Sequence, residues 1–209
     1  MNIDLRRKST LFLVLVLFVC VFVAAGCGIN ADSADKAIEP ADTEMQSYVH
    51  ENSGMVFKLP ADWQKSLEDD QKVIFINPEG TVALSGIFEL GGYSYYTLQE
   101  QGALAKDICQ NTLKDVKVLE EGIYKKSNNS YRIVMQGVDS QGNTAICAAV
   151  VYAPLYGVRY YLMTLAGVDE YKRYYKLFEE SFSSFYVSID EDTLYSKIEA
   201  TYLQNNRYF

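Results

Sequence analysis

One thiol, Cys27, carries the clearest chemistry in this sequence. It follows three small residues, Ala24, Ala25 and Gly26, and small side chains let a protease hold the chain extended just ahead of the cysteine. Upstream, Leu11 to Val23 is an unbroken apolar run, with Arg6, Arg7 and Lys8 before it. Bases on the amino side of such a run keep the amino terminus in the cytoplasm and send the following chain outward. The run falls short of the roughly 20 apolar residues a membrane-crossing helix needs. Residues 1–26 therefore read as a cleaved export signal, and Cys20, inside the run, is a filler hydrophobe that leaves with it.

The other chemistry-bearing residues are sparse. His50 is the single histidine, at the edge of a polar segment, and a loosely held surface ring makes a poor general base. One histidine and the two separated cysteines, Cys109 and Cys147, lack zinc-ligand spacing. A serine elbow and a phosphate loop are both missing. No catalytic residue, metal or cofactor is expected. Glu68-Asp69-Asp70 lacks the EF-hand spacing and reads as a solvated turn, as do Glu120-Glu121 and Glu179-Glu180. Cys109 and Cys147 are open to two readings. They form one disulfide, which a compartment outside the membrane permits, or they are two buried thiols. Sequence separation does not decide between them, because it carries no information on Cα distance.

The candidate contact surface is the loop Gly91 to Tyr96, where two glycines adjoin Tyr93, Tyr95 and Tyr96. Glycine permits unusual backbone angles, and tyrosine offers rigid amphipathic area. The alternative is that these rings cover a sheet end. Tyr152, Tyr156 and Tyr160, around the Pro154 turn, are candidates to extend the patch.

Composition narrows the partners. Acidic residues outnumber basic ones, 27 to 19, and removal of residues 1–26 takes away three bases and one acid, so the excess deepens. Such a surface repels nucleic-acid backbones, and no nucleic-acid partner is expected. The chain after Gly26 suits one domain. Residues 27–47 are small, polar and acidic and read as a flexible tether, and residues 48–209 as a single domain ending in a helical tail.

Elements follow from periodicity. Met55–Leu59 alternates and stops at Pro60, as a strand does. Lys72–Asn77 and Thr81–Leu90 flank the turn Asn77-Pro78-Glu79-Gly80 and predict an antiparallel pair. Thr97 and Glu100 are spaced as a capping box. The helix after them runs to about Lys114, with Leu98, Ala105, Ile108, Cys109 and Thr112 on one face. Strands are predicted over Val116–Tyr124, Tyr131–Gln136, Thr144–Tyr152 and Val158–Ala166. The third of these is apolar throughout, as a central strand covered on both faces is. Asp169 is placed to cap a second helix, whose Tyr171, Tyr174, Tyr175, Phe178, Phe182 and Phe185 form an aromatic stripe, and Asp192–Asn205 predicts a third. The fold class is α+β: a central antiparallel sheet of about six or seven strands flanked by helices.

Two resemblances add to this reading. Ala24-Ala25-Gly26-Cys27 resembles the lipobox of bacterial lipoproteins. That implies a diacylglyceryl group on the Cys27 thiol and cleavage before it, although Ala24 stands where leucine is usual. The segment Gly54-Met55-Val56-Phe57-Lys58-Leu59-Pro60-Ala61-Asp62-Trp63, with the element order, resembles the PsbP, Mog1 and DcrB-like group of small α+β domains. That resemblance covers about Tyr48 to Val187 and implies a binding or assembly module with no catalytic residues to carry over. The combined expectation is a cell-envelope protein, lipid-anchored in the cell membrane through Cys27 and facing outward, that binds or scaffolds an envelope protein without catalysis. The alternative is a receptor for a small lipid or aromatic ligand, which requires an apolar cavity.

Overall fold

The structure is a computed structural model that describes residues 38–90, 96–124, 130–154 and 157–206. Ala24, Ala25, Gly26, Cys27, Tyr93, Tyr95 and Tyr156 lie outside them. The order is β1 (Met45–His50), β2 (Met55–Pro60), β3 (Gln64–Glu68), β4 (Lys72–Ile76), β5 (Val82–Leu90), α1 (Leu98–Thr112), β6 (Lys114–Tyr124), β7 (Ser130–Val138), β8 (Thr144–Tyr152), β9 (Val158–Gly167), α2 (Val168–Ser184), β10 (Tyr186–Val187) and α3 (Glu191–Asn206). Seven strands form an antiparallel sheet in the order β3-β4-β5-β9-β8-β7-β6, and β1, β2 and β10 form a smaller one. The α+β class and the seven-stranded sheet are as the sequence predicts.

The large sheet is covered on both faces, which is why β8 and β9 are apolar on both sides of the pleat. On one face Ile133, Met135, Ala145, Cys147, Ala149 and Met163 share a cluster with Ala105 and Cys109 of α1. On the other, Phe75, Leu84, Val150, Tyr160 and Leu162 meet α2 and the small sheet. The stripe of α2 packs as its spacing requires: Tyr171, Tyr174, Phe178 and Phe182 are buried, while Tyr175 faces outward. Each buried aromatic stabilises the domain by about 2 kcal/mol through area removed from water. Strand β2 lies over β5 because Gly86 leaves room: a Cβ there would sit 3.2 Å from Phe57 Cε1 and 3.3 Å from Met55 Cε.

Several expectations are corrected. The regular chain starts at Met45, within the segment read as tether, and the Ala41 amide donates to the Arg173 carbonyl of α2 at 2.9 Å. Gly167, with no side-chain cap, precedes α2; Asp169 instead lies in its first turn, where a carboxylate complements the helix dipole. His50 is not a loose surface ring. It is the last residue of β1 and only 1% exposed. Its Nε2 donates to the Asp69 carbonyl at 2.7 Å, and its Nδ1 is hydrogen-bonded to the Ser53 hydroxyl, also at 2.7 Å. It therefore ties the β1–β2 turn to the β3–β4 turn.

Candidate functional site

Glu89 near the end of β5 and Arg159 near the start of β9 stand directly opposite in the ladder. The Arg159 Nη2 to Glu89 Oε2 distance is 3.0 Å, and the Tyr161 hydroxyl donates to the same oxygen at 3.2 Å. Burial, then the Glu89 charge, pushes that hydroxyl far above the usual tyrosine range. The guanidinium is mostly buried and lies under the Tyr96 ring, 5.6 Å from its centroid, with Nη1 also donating to the Tyr96 hydroxyl at 3.4 Å. Behind the ring, Gln101 Nε2 donates to the Tyr96 carbonyl at 3.4 Å.

The next residue begins the helix. Thr97 Oγ1 accepts from the Glu100 amide at 3.2 Å, and Glu100 Oε2 accepts from the Thr97 amide at 2.8 Å, the reciprocal pair the sequence predicts. Those bonds hold the Glu100 carboxyl below its usual range. Tyr96 is thus fixed at its ring, its hydroxyl and its carbonyl. A cation under a tyrosine face contributes roughly 0.5–2 kcal/mol depending on desolvation. The arrangement makes a rigid entry to α1 at Tyr96. Its two charged groups, Glu89 and Arg159, are paired with each other.

Tyr152 and Tyr160, two of the three residues suggested to extend this patch, do not join Tyr96. Tyr152 and Tyr160 stack with centroids 6.3 Å apart, and Tyr160 lies 5.0 Å from Phe88, in the cluster under α2. Alternation puts them on the opposite face from Arg159 and Tyr161. Of the three loop tyrosines predicted, Tyr96 is described and held. Arg159, which holds its ring, and Glu89 and Tyr161, which are bonded behind Arg159, were not singled out from the sequence. The available signal was a lone acid and a lone base at the ends of two apolar strands.

Two other polar clusters have structural roles. Arg132 on β7 is 5% exposed and lies between the rings of Tyr124 and Phe182, at 5.5 and 5.8 Å. Its Nη1 is 2.6 Å from Glu179 Oε1 of α2. Burial, then Glu179, pushes the Tyr124 hydroxyl up to about 12. At the β1 side, an open depression of about 450 Å³ is lined by Tyr48, Glu51, Asn52, Lys65, Glu68 and Asp70, among others. Lys65 and Tyr48 both donate to the Glu68 carboxylate and hold it below its usual range. Its lining is polar, unlike the apolar cavity expected of a lipid receptor. Among the described residues no group of three or more His, Cys, Asp or Glu is placed to hold a metal, and no helix is long and apolar enough to cross a membrane.

No protein-family model matches the chain, and no curated protein matches it. Solved structures do. The solution structure of cyanobacterial PsbP (CyanoP) from Synechocystis sp. PCC 6803 is similar at 16% identity and a TM-score of 0.46, covering 75% of this chain and 98% of that one. LpqN, described as involved in cell envelope biogenesis of Mycobacterium tuberculosis, is similar at 13% identity and a TM-score of 0.47, covering 70% of this chain and 91% of that one. A protein from Bacteroides thetaiotaomicron is similar at 10% identity and a TM-score of 0.45, covering 69% and 48% of the two chains. Likeness of this degree concerns the arrangement of strands and helices and says nothing about activity.

Proposed function

We propose that the chain is an exported protein, anchored to the cell membrane by lipid on Cys27, whose α+β domain acts outside the membrane as a non-catalytic binding or scaffolding module. The observation that carries the anchoring is the basic, apolar and small-residue sequence ending in Cys27. Two acyl chains buried in a bilayer, at about 0.8 kcal/mol per methylene, suffice for stable residence. The binding half rests on Tyr96. A ring held by Arg159, on a backbone held by Gln101, loses little further freedom when a partner docks, and such pre-organisation favours affinity. Tyr93 and Tyr95 are adjacent in sequence and complete the proposed surface.

Affinity capture from the protein's own envelope extract tests this half. The wild-type mature domain should retain a defined protein that Tyr96→Ala loses, with the melting temperature of the two differing little. Retention of the same proteins by both would reject this surface. The second reading, a receptor for a lipid or aromatic molecule, has no apolar cavity in its favour among the features described above.

A further inference from the structure

The side chain of Cys109, in the last turns of α1, and that of Cys147, in the middle of β8, meet in the interior. Both are fully buried and both are free thiols. Cys109 Sγ lies 3.9 Å from the Cys147 carbonyl oxygen, which puts the helix thiol against the backbone of the residue that carries the other. The sequence brings them together in steps. Ala105 precedes Cys109 by one turn on the buried face of α1, and Ala145 and Ala149 flank Cys147 on the same face of β8. Three methyl side chains let the helix approach the strand closely enough for two short side chains to touch. A contact of this kind, between residues 38 positions apart and on different elements, is made only by the folded chain.

We propose that Cys109 and Cys147 are an oxidation site, a thiol pair that takes an oxidising equivalent from a disulfide donor during folding and closes as an intrachain disulfide joining α1 to β8. The donor is a small or protein disulfide, written RSSR. One cysteine thiolate attacks RSSR, forming a mixed disulfide and releasing one RSH. The second cysteine then attacks the protein sulfur of that mixed disulfide, forming the Cys109–Cys147 bond and releasing the second RSH. The two cysteine thiols lose two electrons and two protons, and RSSR gains them.

Order matters in this sequence. Once α1 has docked, no solvent reaches either sulfur, and the contact with Cys109, then burial, holds the Cys147 thiol well above its usual range. Thiolate is the attacking species, so both attacks precede full burial, with the approach of α1 to β8 bringing the second sulfur within reach. The finished bond would then be shielded from reductants by the same packing. The proposal draws on the export reading only for where the donor is met.

The test uses the full mature chain, purified from membranes in detergent, unfolded and reduced with excess dithiothreitol, freed of the reductant, and refolded without air, with or without a mixture of glutathione and glutathione disulfide. Each product is denatured, alkylated and mapped by peptide mass. We expect the Cys109 and Cys147 peptides to be linked in the glutathione-refolded chain and separately alkylated in the other. We also expect the linked form to melt roughly 10 °C higher, from the loop that the bond closes. Cys109→Ser and Cys147→Ser should each remove both the link and the shift. A chain that regains its native circular dichroism in glutathione with both thiols alkylatable overturns the proposal, as does linkage only between chains. The state of Cys27 is read from its own peptide, so failure of the anchoring proposal is distinguished from failure of this one.

Discussion

Removing Glu179 while leaving Arg132 should be among the most damaging single changes to this domain. The Arg132 side chain is 6% exposed and that of Glu179 19% exposed, with 2.6 Å between the charged atoms. Glu179→Leu deletes the counter-charge and leaves a guanidinium enclosed by Tyr124 and Phe182. Breaking a buried pair in this way costs about 3–5 kcal/mol. Glu120, 3.8 Å from Arg132 Nη1 and 57% exposed, is a weak substitute, so the loss should fall toward the lower end of that range. Replacing both partners, Arg132→Met with Glu179→Leu, removes the desolvation cost with the attraction and should restore most of the loss. The assay is urea unfolding followed by the fluorescence of Trp63, the only tryptophan. Trp63 packs edge-on to Tyr174 and Phe178 of α2 and so reports on α2, the helix that carries Glu179. The reasoning is refuted if Glu179→Leu costs less than about 1 kcal/mol, the surface-pair value, or if the double variant is no more stable than the single.

Three further outcomes follow from local geometry. Gly102→Ala would place a methyl 2.7 Å from Tyr131 Cζ. The gain of about 1 kcal/mol in helix propensity is then outweighed by about 1–3 kcal/mol of overpacking, and the sign should reverse in a Tyr131→Ala background, as measured by urea midpoints. Thr97→Ala removes the α1 cap and should cost about 1 kcal/mol in the same assay. Stability should also fall at high pH. Unfolded tyrosines ionise near 10, whereas burial holds Tyr124 and Tyr171 up to about 12 and Tyr160 and Tyr161 higher still. These groups contribute fully below about pH 10, and the contribution is lost as pH rises toward the folded values. Tyrosinate absorbance should show a class that ionises only with unfolding; one common transition near 10 would contradict this.

How much was legible in the sequence depended on where each element lies. β4, β5, β8 and β9 could be read because a two-sided sheet interior requires uninterrupted apolar runs. β3, Gln-Lys-Ser-Leu-Glu, could not, because an edge strand exposed along most of its length has no apolar face to display. β1 was hidden for a similar reason. Its pairing with β2 across the turn 51–54 is what buries His50 opposite Met55, and Met-Gln-Ser-Tyr-Val-His has no sustained alternation to mark a strand. At the candidate site, the capping box is local chemistry and was read correctly. The cross-strand Glu89–Arg159 pair depends on the β5–β9 register, across 70 residues. Likewise the inward face of α1 carries Gln101 and Gly102, polar and small residues that hydrophobic periodicity does not select. They are explained by what they touch, the Tyr96 carbonyl and the Tyr131 ring.

The central claim concerns Cys27, and metabolic labelling tests it most directly. Cells expressing the full chain are fed labelled palmitate, and the protein is recovered from membrane and soluble fractions. The account predicts label on the wild-type protein, an amino terminus at Cys27, and residence in the membrane fraction. Cys27→Ser should abolish the label and the cleavage together. Label that survives Cys27→Ser, or a wild-type protein that is processed and membrane-bound without any label, would contradict it.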